Sequence, residues 1–238
     1  MRKAQNIIRA TLSHVALFFG WLWGLYIFRF LNKVEVVGRE NLLRTTGILY
    51  LSNHQTLIDS FLIGACVLNF WEILFYPRRV PWNAPDKGNF FKHLIGRYVF
   101  SLLKNIPVTR KTRNRQVMQE QIDKFCQAID DSNLVLFFEG TRTRTREIGE
   151  CKAGVAKTIL EAKPKYIVPI WLDGIQPIMP VDAGFNFTKI KWGHRGRIVI
   201  GQPVVFADLY QLPDNGNTRR LVAQRVRDSV MALQTTNA

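Results

Sequence analysis

Two stretches of this chain carry almost no polar side chain: Leu134–Phe138 (LVLFF) and Tyr166–Leu172 (YIVPIWL). A strand with one wet face alternates apolar and polar residues, whereas a strand without a polar face has to be covered on both sides. Sheets covered on both sides are as a rule parallel ones, with crossover helices on the two faces. The rest of the chain agrees with that constraint. Val34–Gly38 (VEVVG) and Ile48–Ser52 (ILYLS) are short β-branched or apolar runs that stop at turn residues. Glu72–Tyr76 reads as a further strand closed by Pro77, and Arg197–Ile200 and Pro203–Phe206 as later strands separated by Gly201–Gln202. Between them, helical spacing recurs: Leu57, Phe61, Leu62, Ala65 and Leu68 behind a cap at Asn53; the basic stretch Phe90–Leu103; and Met118, Ile122, Phe125, Cys126 and Ile129. Ala153–Lys163 and an amphipathic segment with Leu221, Val222, Val226, Val230 and Leu233 behind a cap at Thr218 complete the series. Strand and helix alternate, which predicts an α/β domain with a largely parallel central sheet flanked by helices. One connection, Pro77–Asn89 (PRRVPWNAPDKGN), is long for such a domain.

The amino end does not fit that alternation. Val15–Phe28 (VALFFGWLWGLYIF) is an unbroken apolar run with Arg2, Lys3 and Arg9 before it and Arg29 and Lys33 after it. It is shorter than the ~20 residues that cross a bilayer core, and reaching back to Ile7 admits Arg9, Ser13 and His14. No small-x-small cleavage site follows. A re-entrant or interfacial helix fits at least as well as a span: Trp21, Trp23 and Tyr26 suit the headgroup boundary, and Gly20 and Gly24 permit close helix packing. A buried helix at the domain's edge is the plainer alternative. The expectation is a membrane-anchoring helical segment at 1–33 and an α/β domain at 34–238, associated with the cytoplasmic face of a membrane. The net charge of +15 calls for an acidic partner: nucleic acid, an anionic membrane surface or a phosphorylated substrate. No interleaved aromatic–basic signature supports nucleic acid, which is therefore not an expected partner. Cys66, Cys126 and Cys151 form no C-x-x-C pair and suggest neither a disulfide framework nor a zinc site.

In parallel α/β sheets ligands collect beyond the carboxyl ends of the strands. Three segments belong there. LSNHQTLIDS (51–60) places His54 past a strand and Asp59 about one helical turn on. A carboxylate at that distance can hold one ring nitrogen, fix the tautomer and leave the other nitrogen to take a proton. The spacing is common by chance, so the pair does not stand alone. FFEGTRTRTR (137–146) follows the LVLFF strand with a glycine turn and arginines at 142, 144 and 146, able to present guanidinium and backbone N–H groups to a phosphate. NIPVTRK (105–111) reads as a short strand ending in Arg110 and Lys111. Neither a dinucleotide nor a P-loop glycine signature occurs. His14, His54, His93 and His194 are scattered and outside any H-E-x-x-H pattern, so no metal site is expected.

NHQTLID, NIPVTR, FFEGTR and IVPIWL, in that order over about Leu51–Leu172, resemble the four blocks of the 1-acylglycerol-3-phosphate acyltransferase (lysophospholipid acyltransferase) family. The resemblance implies a glycerol-3-phosphate acyltransferase-like α/β fold. His54 would be the general base and Asp59 its partner. Arg110, Glu139, Gly140, Thr141 and Arg142 would shape the site for the glycerol phosphate, and Pro169 would support the acyl-donor or structural side of the cleft. Acyl-CoA or acyl carrier protein would supply the acyl group as a substrate, with no metal and no resident cofactor. The implied acceptor is the hydroxyl of a lysophospholipid, most simply 1-acylglycerol 3-phosphate giving phosphatidic acid. Glycerol 3-phosphate, another lysophospholipid or a lyso-aminolipid are alternative acceptors. A thioester hydrolase and a non-catalytic basic membrane- or nucleic-acid-binding module are the readings from other classes. Two residues depart from the family pattern: Phe138 stands where it usually has Pro, and Thr109 precedes Arg110 where an acidic or bulkier residue is common.

Overall fold

Six strands make one sheet: β1 (Lys33–Val37), β2 (Ile48–Ser52), β3 (Pro81–Trp82), β4 (Asn133–Phe137), β5 (Tyr166–Asp173) and β6 (Arg195–Ile200), in spatial order β1-β6-β5-β2-β4-β3. Neighbours run parallel except β5 and β6. The structure is a computed structural model and describes residues 2–91, 94–110, 112–143, 148–180 and 186–236. Both faces of the sheet are covered, as its apolar strands require. In β2, Ile48 and Tyr50 join the core beneath α1 (Arg2–Leu25), α2 (Asp59–Val67) and α3 (Phe70–Phe75). Leu49 and Leu51 point the other way, into a second core under α6 (Arg115–Asp131), α7 (Ala153–Ala162) and α8 (Gly216–Met231). Two short helices, α4 (Lys87–Phe90) and α5 (Leu94–Leu102), precede α6.

Several local expectations change in the folded chain. Glu72–Tyr76 is not a strand. Asn69 and Glu72 form a capping box, in which the Asn69 side chain accepts from the Glu72 N–H at 2.9 Å and the Glu72 carboxylate accepts from the Asn69 N–H at 3.2 Å. Such reciprocal caps commit the backbone to a helix, and the buried Glu72 is further held by Arg44 and Arg79. Asn53 caps nothing, since α2 begins only at Asp59. The cap of α8 is Asn215, whose side chain accepts from the N–H groups of Asn217 and Thr218 at 3.0 Å each, while Thr218 itself is buried. Pro203–Phe206 makes a single bridge, Val204 to Ile167. Pro203 has no N–H with which to extend it.

The long connection is more ordered than its composition suggests. It contains β3 on the sheet edge, and it pairs with NIPVTR through isolated parallel bridges Asn83–Asn105 and Asp86–Val108. The prolines at 85 and 107 keep that pairing from becoming a continuous strand. Lys104 ties it down: Nζ donates to the carbonyls of Pro77 and Val80 and to Ser132 Oγ, each at 2.8 Å. Burial, with Arg78 nearby, pulls this ammonium down to about 8.

Helix α1 continues as a π-helix over Tyr26–Leu31, and the helical segment Lys3–Leu31 is long and apolar enough to cross a membrane by length and composition. It lies along the domain. Gly24 lets it approach α2, where a Cβ would stand 2.9 Å from the Phe61 carbonyl oxygen. Ser13 Oγ donates to the Leu102 carbonyl at 2.6 Å, and the His14 ring contacts the Ile73 carbonyl at 2.7 Å.

Lys104→Met is expected to lower stability by roughly 2–4 kcal/mol, because three acceptors, those on Val80 and Ser132 belonging to buried residues, lose a charged donor. Thermal unfolding checks this, with a midpoint lower by roughly 5–10 °C expected for a chain of this size.

Candidate active site

β2 ends in the middle of the sheet, and the chain leaving it is pinned to the strands on both sides. Towards β5, Asn53 pairs twice with the backbone of Leu172: Nδ2 donates to the carbonyl at 2.9 Å and Oδ1 accepts from the N–H at 2.8 Å. Gln55 repeats the pattern, with Nε2 donating to the Leu172 carbonyl and Oε1 accepting from the Ile175 N–H, both at 2.9 Å. Towards β4, the buried Glu139 carboxylate takes the His54 N–H on Oε1 at 3.1 Å. Its Oε2 accepts from Thr143 Oγ1 at 2.6 Å and from the Gly149 N–H at 3.0 Å. The Thr143 N–H in turn donates to the His54 carbonyl at 2.8 Å. Both backbone polar groups of His54 are thus held by the Glu139–Thr143 turn, which Gly140 opens with φ +68°, a value that favours glycine.

With its backbone fixed, the His54 side chain has two close neighbours. The Phe137 ring stacks on the imidazole with centroids 4.0 Å apart and planes inclined by 13°. On the other side, Nδ1 lies 2.9 Å from Asp59 Oδ2. Asp59 is wholly buried (0% exposed). Its Oδ2 also accepts from the N–H groups of Gln55 at 2.6 Å and Thr56 at 2.8 Å, and its Oδ1 from Thr56 Oγ1 at 2.5 Å. Donors surround this carboxylate, so the ring bond runs from Nδ1–H to Asp59 and leaves the lone pair on Nε2. Among the described residues Nε2 has no protein partner, and the ring borders a cavity of about 600 Å³.

Most of that cavity is apolar, walled by Leu17, Gly20 and Trp21 of α1, Phe61 and Gly64 of α2, and residues of α5 and α6. Its charged lining residues are Arg110 and Lys152, joined by Gly140 and Thr141, and no carboxylate contributes among the described residues. Arg110 is delivered by the NIPVTR segment and sits 3.9 Å from the Asp86 carboxylate. Arg142 is half-buried in the same turn as Thr141 and does not form the wall. Glu139 is bonded to His54's backbone and does not line the cavity. Lys111, Arg144, Arg146 and His93 lie outside the described residues.

The family sequence model that matches is that of the acyltransferases, over residues 33–173, more than half of the chain. The chain belongs to the acyltransferase family. Among solved structures this acyltransferase is similar to PlsC, the 1-acyl-sn-glycerophosphate (LPA) acyltransferase from Thermotoga maritima, with 17% identity, full coverage of both chains and a TM-score of 0.60. At that identity the likeness establishes the α/β fold with its amino-terminal helix. No curated protein matches. The acyltransferase's departure at Phe138 has a structural consequence. Its N–H donates to the Ser52 carbonyl at 3.2 Å and its carbonyl accepts from the Lys152 N–H at 2.9 Å, and a proline there would lack the first bond.

Residue spacing pointed to His54 and Asp59, and the resemblance to Arg110, Gly140 and Thr141, all three of which line the cavity. Both missed Thr56, Phe137, Thr143 and Lys152. Thr56 alone had a local signal, a hydroxyl three residues before a carboxylate at a helix start. The other three meet the site only through the sheet.

Glu139→Gln is the informative variant here. One amide face must turn an N–H against a donor, so the His54 backbone shifts. Turnover is expected to fall by about 10²-fold, the scale of a 1 Å misplacement, with the acceptor KM little changed. Steady-state kinetics reads both, and a change confined to KM would make Glu139 a substrate ligand.

Proposed function

We propose that this acyltransferase moves a fatty acyl group from a thioester, acyl-CoA or acyl carrier protein, to the free hydroxyl of a lysophospholipid, most simply 1-acylglycerol 3-phosphate, giving phosphatidic acid. The observation that carries the reading is the buried His54–Asp59 pair at the wall of a largely apolar cavity whose charged lining residues are basic. An acceptor with a phosphate and a long acyl chain matches such a lining, and the fold shared with an LPA acyltransferase agrees.

In the reaction, Nε2 of His54 takes the proton of the acceptor hydroxyl as its oxygen bonds to the thioester carbonyl carbon. Asp59 holds the imidazolium through Nδ1–H and keeps the ring aimed. The tetrahedral intermediate collapses with loss of the C–S bond, and the thiolate leaves with the proton returned by His54. The substrates bring both the hydroxyl and the activated acyl group, so neither a metal nor a resident cofactor enters the scheme. Arg110 and Lys152 hold the acceptor's phosphate, which makes the attack effectively intramolecular. The lipid acceptor resides in a membrane, and the protein meets it with α1 lying against the bilayer.

His54→Ala should cut turnover by about 10² to 10⁴-fold without loss of fold. Mass spectrometry of products from a panel of lysolipids and glycerol 3-phosphate, with either donor, identifies the acceptor. Near-normal activity in the variant, or free fatty acid as the sole product of the parent, would overturn the proposal.

A second prediction concerns the apolar part of the cavity. Gly64 lines it, and a Cβ at this position would meet no atom within 4 Å. A Gly64→Phe side chain can therefore occupy cavity space with the fold preserved. The expected outcome is a shift towards acceptors with acyl chains shorter by several carbons, read from competition between lysophospholipids of different chain length.

A further inference from the structure

Helix α1 turns a continuous apolar stripe outward, from Ile8 through Val15, Phe19 and Leu22 to Tyr26 and Phe30, all exposed. At 3.6 residues per turn the α1 part of this stripe lies opposite the side bearing Leu17, which is buried in the core, as is Phe28 of the π-helix that follows. The two flanks of α1 are occupied. On one, the Phe18 and Trp21 rings meet Phe70 at 6.3 and 6.5 Å and His14 meets the Ile73 carbonyl, which seats α3. On the other, Ser13 bonds to the Leu102 carbonyl and seats α5.

Helix α3 is the unusual element. It buries Glu72 and Ile73 and exposes Phe70, Trp71, Leu74 and Phe75. Trp71 is 63% and Phe75 61% exposed, with their rings stacked 5.9 Å apart. Four large apolar side chains in the open on six residues are not a solvated surface. Charge selects what covers them. The three helices and the π-turn contain one acidic residue, Glu72, and it is buried against Arg44 and Arg79. Arg9, Arg29 and Arg97 are exposed on the same elements. A second copy of this chain would set cations against cations, whereas anionic headgroups neutralise them. A transmembrane course is equally disfavoured, because α1 would have to abandon α2, α3 and α5.

We propose that α1, α3 and the outer side of α5 form one platform that lies flat on an anionic bilayer leaflet, with the α3 aromatics as a second insertion element beside α1. Resting on the membrane-borne acceptor read above, this places the cavity, part of whose wall is α1, against the leaflet that holds the lipid. The aromatic side chains of α3, followed by the exposed Arg78, suit the headgroup boundary.

The test is partition of the full chain, diluted from mild detergent, onto phosphatidylcholine vesicles with and without phosphatidylglycerol, followed by flotation. The triple variant Phe70→Ser, Trp71→Ser, Phe75→Ser is expected to bind at least about tenfold more weakly to the anionic vesicles. Arg9→Glu with Arg97→Glu should abolish the preference for them. Leu221→Ser, at an exposed site on α8, should change nothing. Trp71→Phe, which keeps the bulk, should lose part of the tryptophan quenching produced by lipids brominated near the headgroup. Wild-type partition and quenching in these variants would overturn the proposal. So would a parent dimer that the triple variant converts to monomer with vesicle binding unchanged. Partition is read without turnover, so an error in the acceptor assignment leaves this result standing, and transfer to a water-soluble short-chain acceptor should persist in the triple variant.

Discussion

A buried carboxylate with no exposure to water is tolerable only if donors meet it, and Asp59 is met by four hydrogen bonds. Three of them come from Gln55 and Thr56 in the turn between β2 and α2, and the fourth is the His54 ring. The cost of burying that charge therefore fixes the conformation of residues 54–59 and the direction of the imidazole together.

That turn could not hold its place alone. Its two ends are fastened to neighbouring strands, by Asn53 and Gln55 to the end of β5 and by Glu139 to the end of β4. Because β2 pairs parallel with both, all three strands finish at the same edge of the sheet. A parallel arrangement thus converts three distant segments into one site, and the long crossover helices it requires supply the walls of the cavity. α1, which precedes the sheet, and α3 leave apolar side chains exposed on the outside of the same half of the protein.

Much of this was legible in the residues. Doubly apolar strands implied a sheet covered on both faces, and the two cores under Leu49 and Ile48 bear that out. The acyltransferase family was legible in the order of four short blocks, and the family match agrees. The errors have a common cause. Glu72–Tyr76 has strand-like composition, but Asn69 reaches forward to Glu72, and Arg44 and Arg79 reach in from elsewhere, so capping and burial overrode propensity. Asn53 looked like a cap because it follows a strand, yet a better use of its amide lay on β5. The long connection looked loose because its partner strand and its Lys104 anchor are distant in the chain.

The sequence by itself determined what depends on near neighbours: the apolar periods of strands and helices and the spacing of His54 and Asp59. These follow from chemistry within a turn or two of each residue. Only the tertiary structure decided that Glu139 holds the backbone of a histidine 85 residues away, that Phe137 stacks on it, and that Leu172 anchors Asn53 across 119 residues. Strand order alone brings such residues together, and strand order is set by how the whole chain buries its apolar surface.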